Sequence, residues 1–415
     1  MRVIGLDIHR TFAEVMFLED GELIHGGRVE LSHVQFSAFA HTLRSDDEVV
    51  LEATGNTMAV VRLLEPHVGR VVIANPLQVR AIAHAKIKTD KIDAAVLAQL
   101  RASGFLPEVW RADEQTLALR RQVARRNQIV SQRTRLKNQV QSVLHTYLIP
   151  RFPGADLFGK KGRAWLSEQP LPGDERLAIE RRLRELDRLG EDLAMIEKEL
   201  ARFALKDADC QRLLTVAGIN MAVAVGVKAA IGSIERFASP QKLVSYFGLN
   251  PSVRQSGLAP AQHGRITKQG RAHARAMLVE AAWAAAKAPG PLRAFFLRIR
   301  ARRGHQVAAV ATARKMAVLC WHLMTKQEGY AWTRPALHAK KLRELELKAG
   351  FPSQRGGSQR GKAHDYNLRS VREQERRWTE QAEKAYERFV KGWQSKGPSK
   401  PKARECTGAT KERAE

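Results

Sequence analysis

The sequence predicts an α/β domain followed by a mostly helical body. Three observations carry this. Short apolar runs alternate with helical spacing through the first hundred residues, a long charge-rich helical periodicity begins near residue 116, and Ala-rich helical text recurs at 213–237 and 271–324. At 415 residues the chain is long enough for two or three domains. It carries 70 Lys plus Arg against 43 Asp plus Glu, a net charge of +27, which makes DNA or RNA the first class of partner to consider. No apolar run approaches a membrane span, no signal peptide opens the chain, and no membrane partner is expected. Cys210, Cys320 and Cys406 are odd in number and widely spaced, which suggests a reducing compartment and gives no zinc-ligand pattern.

Residues 2–7 (RVIGLD) read as a short core strand ending in Asp7. AEVMFLE (13–19) and ELIHGGRVEL (22–31) follow, separated by the hairpin signal Asp20-Gly21. Ser32 is the expected N-cap of a helix running to Leu43. EVVLE (48–52) is a second core strand, ending in Glu52, and RVVIA (70–74) a third, stopped by Asn75-Pro76. The stretch IKTDKIDAAVL (87–97) then opens a helix that runs to about Ser103. Asp90 and Asp93 stand three residues apart at its head, nearly one turn, so both point the same way. Taken alone they are a solvated helix start that complements the dipole. Asp7 and Glu52, however, both end core strands, the edge of an α/β sheet where sites collect. If those strands are neighbours and the helix packs across them, four acids converge.

ALRRQVARRNQIVSQRTRLKNQVQSVLHTYL (118–148) and the stretch 175–205 are two long amphipathic helices around a Pro/Gly-containing break. They read either as an antiparallel hairpin or as a dimerising coiled coil. Residues 213–237 hold two short apolar helices around Gly218-Ile219-Asn220, similar to a helix-hairpin-helix, whose turn offers backbone N–H groups to a DNA phosphate. A plain helical hairpin fits that pattern equally well. After a short helix opened by Ser239-Pro240, the text from Gly248 to Gly270 reads as loop and holds Ser256 with the cations Arg254, Arg265 and Lys268. Helices over 271–287, 292–303 and 307–324 complete a bundle. The domains expected are 1–110, 111–206, 207–327 and 328–415, the last a basic, largely disordered tail.

The acids, their order and the surrounding text resemble the DEDD-type insertion-sequence transposases, the family that also uses a serine and a bridge RNA. The matching stretches are VIGLDIH (3–9), LEATG (51–55), the KTDKIDA helix, residues 214–220, QSG (255–257) and GRITKQG (264–270). The resemblance implies an RNase H or RuvC-like first domain in which Asp7, Glu52, Asp90 and Asp93 bind Mg²⁺, with Mn²⁺ as substitute. It implies Ser256 as nucleophile, a coiled-coil region, a C-terminal helical transposase domain, DNA and a noncoding guide RNA as partners, a dimer or tetramer, and the bacterial cytoplasm and nucleoid as location. Ala217 and Asn220 depart from the family's usual turn. Arg254, Arg265, Lys268 and the Gly218 turn are the expected nucleic-acid contacts. The rival readings are a RuvC-like nuclease or junction resolvase that leaves Ser256 unused, a non-catalytic nucleic-acid-binding protein, and an actin-like kinase. His9 argues against the last, because it stands where a phosphate loop needs glycine.

Overall fold

The computed structural model describes residues 2–83, 89–257, 260–352 and 368–392. Residues 84–88, which lead into the KTDKIDA helix, and Cys406 with the Lys/Pro-rich text around it lie outside the described residues. The chain divides into two compact units, Met1–Asp113 and Glu114–Glu415.

The first unit contains β1 (Val3–Ile8), β2 (Phe12–Glu19), β3 (Glu22–Glu30), α1 (His33–His41), β4 (Glu48–Glu52), α2 (Thr57–Leu64), β5 (Arg70–Ala74), α3 (Pro76–Ile82) and α4 (Asp90–Ala102). The five strands form one mixed sheet in the order β3-β2-β1-β4-β5. The β2–β3 connection places Asp20 (φ 51°) and Gly21 (φ 88°) in the left-handed region, the geometry a tight hairpin requires. β1 runs parallel to β4 in the register Leu6↔Leu51, and β4 parallel to β5. Strand alternation then sorts the side chains. Ile4, Leu6, Ile8, Val49, Leu51 and Ile73 share one core with residues of α1 and α2. Val3, Val50, Val72 and Ala74 pack with Leu97 and Ala98 of α4 on the other face. α3 was not anticipated; Asn75 caps it through its side chain, which accepts from the Leu77 N–H at 3.2 Å, and Pro76 starts it.

In the second unit, α5 (Glu114–Thr146) and α7 (Gly173–Lys206) pair within the chain, with α6 (Lys160–Ser167) between them. Gln122 meets Glu199, Arg126 meets Glu197 and Arg133 reaches the Leu186 carbonyl, so the two helices run antiparallel. Val140, Val143, Leu144, Leu166, Leu171 and Ile179 close the tip. The bundle that follows comprises α8 (Ala208–Leu214), α9 (Met221–Ile231), α10 (Pro240–Tyr246), a hairpin of β6 (Pro251–Arg254) and β7 (Gln262–Ile266), α11 (Ala272–Ala285), α12 (Pro291–Lys326), α13 (Pro335–Ala349) and α14 (Arg369–Gly392). Among the described residues, α12 is the one helix long and apolar enough to cross a membrane by composition. It is kinked at Gly304, and Ala313, Met316, Ala317 and Cys320 lie fully buried in the bundle core.

Two expectations need correction. The stretch after Gly248 is a β-hairpin, not loop; its strands are four and five residues long and almost wholly exposed, so no apolar alternation marks them. Among the described residues beyond 327 there are two helices where the expectation was a largely disordered tail with at most a helix anchored by Trp378 and Phe389; α14 carries both of those residues. The order of the two helices comes from capping as well as apolar burial. Glu383, buried on α14, accepts from the Gly290 N–H (3.1 Å) and Arg293 Nε (3.0 Å) at the start of α12, and Glu375 accepts from the Ala336 N–H at the start of α13.

Candidate functional site

The site in the first unit follows from strand parity. Asp7 and Glu52 are each the next residue after the pair Leu6↔Leu51, at the C-terminal ends of adjacent parallel strands. Leu6 and Leu51 face α1 and α2, so Asp7 and Glu52 belong to the face that α4 covers. Gly5, two residues before Asp7 on that face, lets α4 approach directly: a Cβ there would lie 1.9 Å from the Ala94 carbonyl oxygen. Thr89 caps α4 by accepting from the Ile92 N–H (3.3 Å), which places Asp90 and Asp93 in the first turn. The Thr57 hydroxyl donates to the Glu52 carbonyl (3.1 Å) and fixes the end of β4, while Asn56 donates to the His9 carbonyl (3.1 Å) and ties the 53–56 turn to the end of β1.

The tightest group contains a residue sequence reasoning missed. Among the described residues, Asp7, His9 and Asp90 offer ligand atoms all within 4.8 Å of one another. His9 Nε2 is 3.2 Å from Asp7 Oδ2 and 3.4 Å from Asp90 Oδ1, and this buried nitrogen has hydrogen-bond alignment with neither. Burial raises the Asp7 pKa; His9 opposes the rise, and the charges of Asp93 and Asp90 add to it. Asp93 is therefore close enough to be felt electrostatically, and Glu52 ends the neighbouring strand, although neither belongs to the tightest group. A recess of about 370 Å³ lined by Ile8, His9, Arg10, Thr54, Gly55 and Asn56 opens beside the cluster. The signal for His9 was strand parity carried one residue past the end of β1: it is two residues beyond Asp7 and thus continues the same face.

These residues fit a divalent cation. Hard carboxylate oxygens suit Mg²⁺ or Mn²⁺, the imidazole nitrogen tilts the set toward Mn²⁺, and a His9 nitrogen held 3.2 and 3.4 Å from two carboxylate oxygens is the arrangement expected of ligand atoms around an ion.

In the second unit Ser256 is exposed in the turn between β6 and β7, with Arg254 at the end of β6 and Arg265 on β7, both exposed. The base of this hairpin is tightly built. Gly248 (φ 67°) and Gly270 (φ 106°) pass within 2.3 Å, measured from an ideal Cβ, of the carbonyl oxygens of Gln269 and Tyr246. Arg275 donates to the carbonyls of Phe247 (2.9 Å) and Lys268 (3.1 Å), and Lys268 is itself left-handed (φ 57°). Gly218 (φ 90°) has a packing reason of its own: a Cβ there would lie 2.2 Å from the Ala281 carbonyl oxygen of α11. Asn220 caps α9 by accepting from the Val223 N–H (3.0 Å).

Comparison with known proteins finds a family likeness over two stretches of the chain. Residues 4–149 match a family model of DEDD-type transposases, and residues 210–297 match the model described as Transposase IS116/IS110/IS902 family. The chain is 25% identical over 337 residues to the transposase for insertion sequence element IS1111A of Coxiella burnetii, covering 80% of this chain and 91% of that protein. It is 27% identical over 292 residues to the putative transposase y4qE of Sinorhizobium fredii, covering 68% and 70%, and 26% identical over 336 residues to the probable family 20 transposase of Pseudomonas aeruginosa, covering 79% and 98%. The class is that of DNA transposases, enzymes that cut and rejoin DNA. Within it, the chain belongs to the IS110 family of insertion-sequence transposases.

Proposed function

We propose that this transposase breaks and rejoins DNA with a Mg²⁺ site made by Asp7, Glu52, Asp90 and Asp93 and with Ser256 as nucleophile. The observation that carries the reading is the cluster of Asp7, His9 and Asp90 at the sheet edge, beneath the N-terminus of α4. Mg²⁺ held there, or Mn²⁺ in its place, supplies Lewis-acid polarisation of a phosphodiester oxygen and stabilises charge on the departing oxygen. His9 stands ready as a further ligand to Mn²⁺. Ser256 Oγ attacks phosphorus, its proton passes to solvent, and the bond from phosphorus to a sugar oxygen breaks as that oxygen takes up a proton. The phosphoserine ester keeps the bond energy, so a second sugar hydroxyl displaces Ser256 without ATP. Arg254, Arg265 and Lys268 are the cations we assign to the phosphate near Ser256, and the Gly218 turn is a backbone contact to DNA. A structured noncoding RNA selects the DNA sites, and two or four copies of the chain assemble, which supplies acids and serine from different protomers.

One observation favours the second reading, a RuvC-like nuclease that leaves Ser256 unused. The acids and the serine lie in separate compact units. Ser256→Ala decides between the two. Under the first reading it abolishes strand exchange and the covalent DNA–protein adduct expected on denaturing gels, while DNA binding persists. Strand exchange at wild-type rate in Ser256→Ala leaves the nuclease reading standing. Asp90→Ala is expected to abolish recombination with nucleic-acid binding intact.

A further inference from the structure

A buried charge next to the acid cluster is not used by the chemistry above. Glu14, the third residue of β2, is 0% exposed. It lies directly across from Asp7 on β1 and from Arg28 on β3. Residues opposite one another share a face of the sheet, so Asp7, Glu14 and Arg28 form a row across three strands on the side that α4 covers. The Glu14 carboxylate accepts from Arg28 Nε on one oxygen (2.7 Å) and meets His25 Nε2 on the other (2.7 Å). Burial pushes its pKa up, but the hydrogen bonds from Arg28 and His25 outweigh this and hold the group below the usual range, so it is an anion. Arg28 then reaches outward, with Nη2 3.5 Å from Asp90 Oδ2. Its guanidinium lies 4.6 Å over the Phe12 ring, and His9 stacks on Phe12 at 4.6 Å.

A buried carboxylate inside a strand is expensive unless paired, and a valine or leucine there would serve the core as well. The exposed Arg28–Asp90 contact contributes little to stability. What the arrangement does supply is direction: a guanidinium clamped at one end, stacked on a ring along its face, and pointed at the first carboxylate of α4. We propose that Glu14 and Arg28 are positioning residues, which hold Asp90 turned toward Asp7 and His9 so that the cation site is assembled before the ion arrives. The proposal rests on the reading of the acid cluster as a divalent site.

The test uses the full-length protein without nucleic acid and Mn²⁺ alone as probe, with free Mn²⁺ counted by electron paramagnetic resonance and folding followed by thermal unfolding. Arg28→Met is expected to weaken Mn²⁺ binding by about tenfold or more, the usual effect of removing a group that orients a ligand. Glu14→Gln/Arg28→Met leaves no buried carboxylate unpaired and keeps the experiment valid if Arg28→Met alone fails to fold. It is expected to bind Mn²⁺ no more weakly than Arg28→Met, because Glu14 acts through Arg28. Wild-type affinity in either folded variant overturns the positioning role, and tighter binding overturns it in favour of Arg28 as a competitor of the ion. Asp7→Asn separates the two levels. If it binds Mn²⁺ as wild type does, the divalent-site reading falls and takes the proposal with it; if it loses Mn²⁺ while the Arg28 variants do not, only the positioning role falls.

Discussion

Gly5→Ala is a one-carbon change with a consequence at the acid cluster. The added Cβ meets the Ala94 carbonyl oxygen at 1.9 Å, its carbon at 2.9 Å and the Ala98 nitrogen at 3.1 Å. All three are backbone atoms of α4, so no side chain can swing aside. Ordinary van der Waals contact begins near 3.4 Å, so the helix and β1 must separate locally by roughly 1.5 Å. Overpacking of this kind costs about 1–3 kcal/mol, and a rigid backbone contact belongs at the upper end. The second effect is on the site. α4 carries Asp90 and Asp93, and lifting it draws Asp90 away from Asp7 and His9. A misplacement of about 1 Å is enough to lower a rate by roughly 100-fold. Urea denaturation reports the first effect, and Mn²⁺ affinity together with the rate of DNA strand cleavage reports the second. Gly55→Ala, which meets nothing within 4 Å, is the stability control. A Gly5→Ala protein as stable as wild type, with unchanged Mn²⁺ affinity, would refute the placement of α4 over β1.

Three further predictions follow from the second unit. Gly218→Ala, with a left-handed backbone and a Cβ 2.2 Å from the Ala281 carbonyl oxygen, is expected to destabilise by about 1–3 kcal/mol, read from urea midpoints; a neutral effect would argue against the close α11 contact. Lys341 donates to the Leu214 and Val216 carbonyls (both 2.8 Å), and burial brings its pKa down to about 8. Between that value and the ordinary one near 10.5 the unfolded chain binds a proton that the folded chain has released, so stability rises with pH across this window. Relative to Lys341→Met, wild type should gain at most roughly 3 kcal/mol from pH 8 to 10.5, and a loss over that range would contradict the assignment. Glu383→Ala removes the acceptor for Gly290 N–H and Arg293, an expected loss of about 1–3 kcal/mol, seen as faster hydrogen exchange in α14 and at the start of α12; unchanged protection would refute the capping role.

The elements that carry the acids were legible because their signals are local. VIGLDI, EVVLE and RVVIA are apolar runs that must be buried on both faces, and Asp20-Gly21 specifies its own turn. What was illegible depends on partners distant in sequence. The strands of the β6–β7 hairpin are nearly all exposed, so backbone pairing alone defines them, and pairing leaves no mark on hydropathy. α14 reads as a charged segment because the two glutamates that dock it seek the N-terminal N–H groups of α12 and α13, positions 93 and 39 residues away along the chain, respectively. The choice between hairpin and coiled coil for α5 and α7 was open for the same reason: either pairing buries the same leucine stripe, and it is contacts such as those of Gln122 with Glu199, Arg126 with Glu197 and Arg133 with the Leu186 carbonyl that pair the two helices within one chain.

The site divides along the same line. Asp7, Glu52, Asp90 and Asp93 stand where strands end and a helix begins, and ends are what sequence marks best. His9 and Glu14 required one step more, which is parity carried past the strand end and across the hairpin. Asp7 and His9 share a face because they are two apart, and Asp7, Glu14 and Arg28 share it because the Asp20-Gly21 turn fixes the register of β2 and β3. Glu14 in the apolar text AEVMFLE was itself a sign, since a carboxylate is placed inside a core strand only where a cation is provided for it. The provider is Arg28, and Arg28 continues to Asp90. The hairpin that opens the chain is therefore more than an edge for the sheet. It carries the counter-charges of the acid cluster, and a slip of its register by one residue would turn Glu14 and Arg28 to the α1–α2 face and leave Asp90 without its guanidinium.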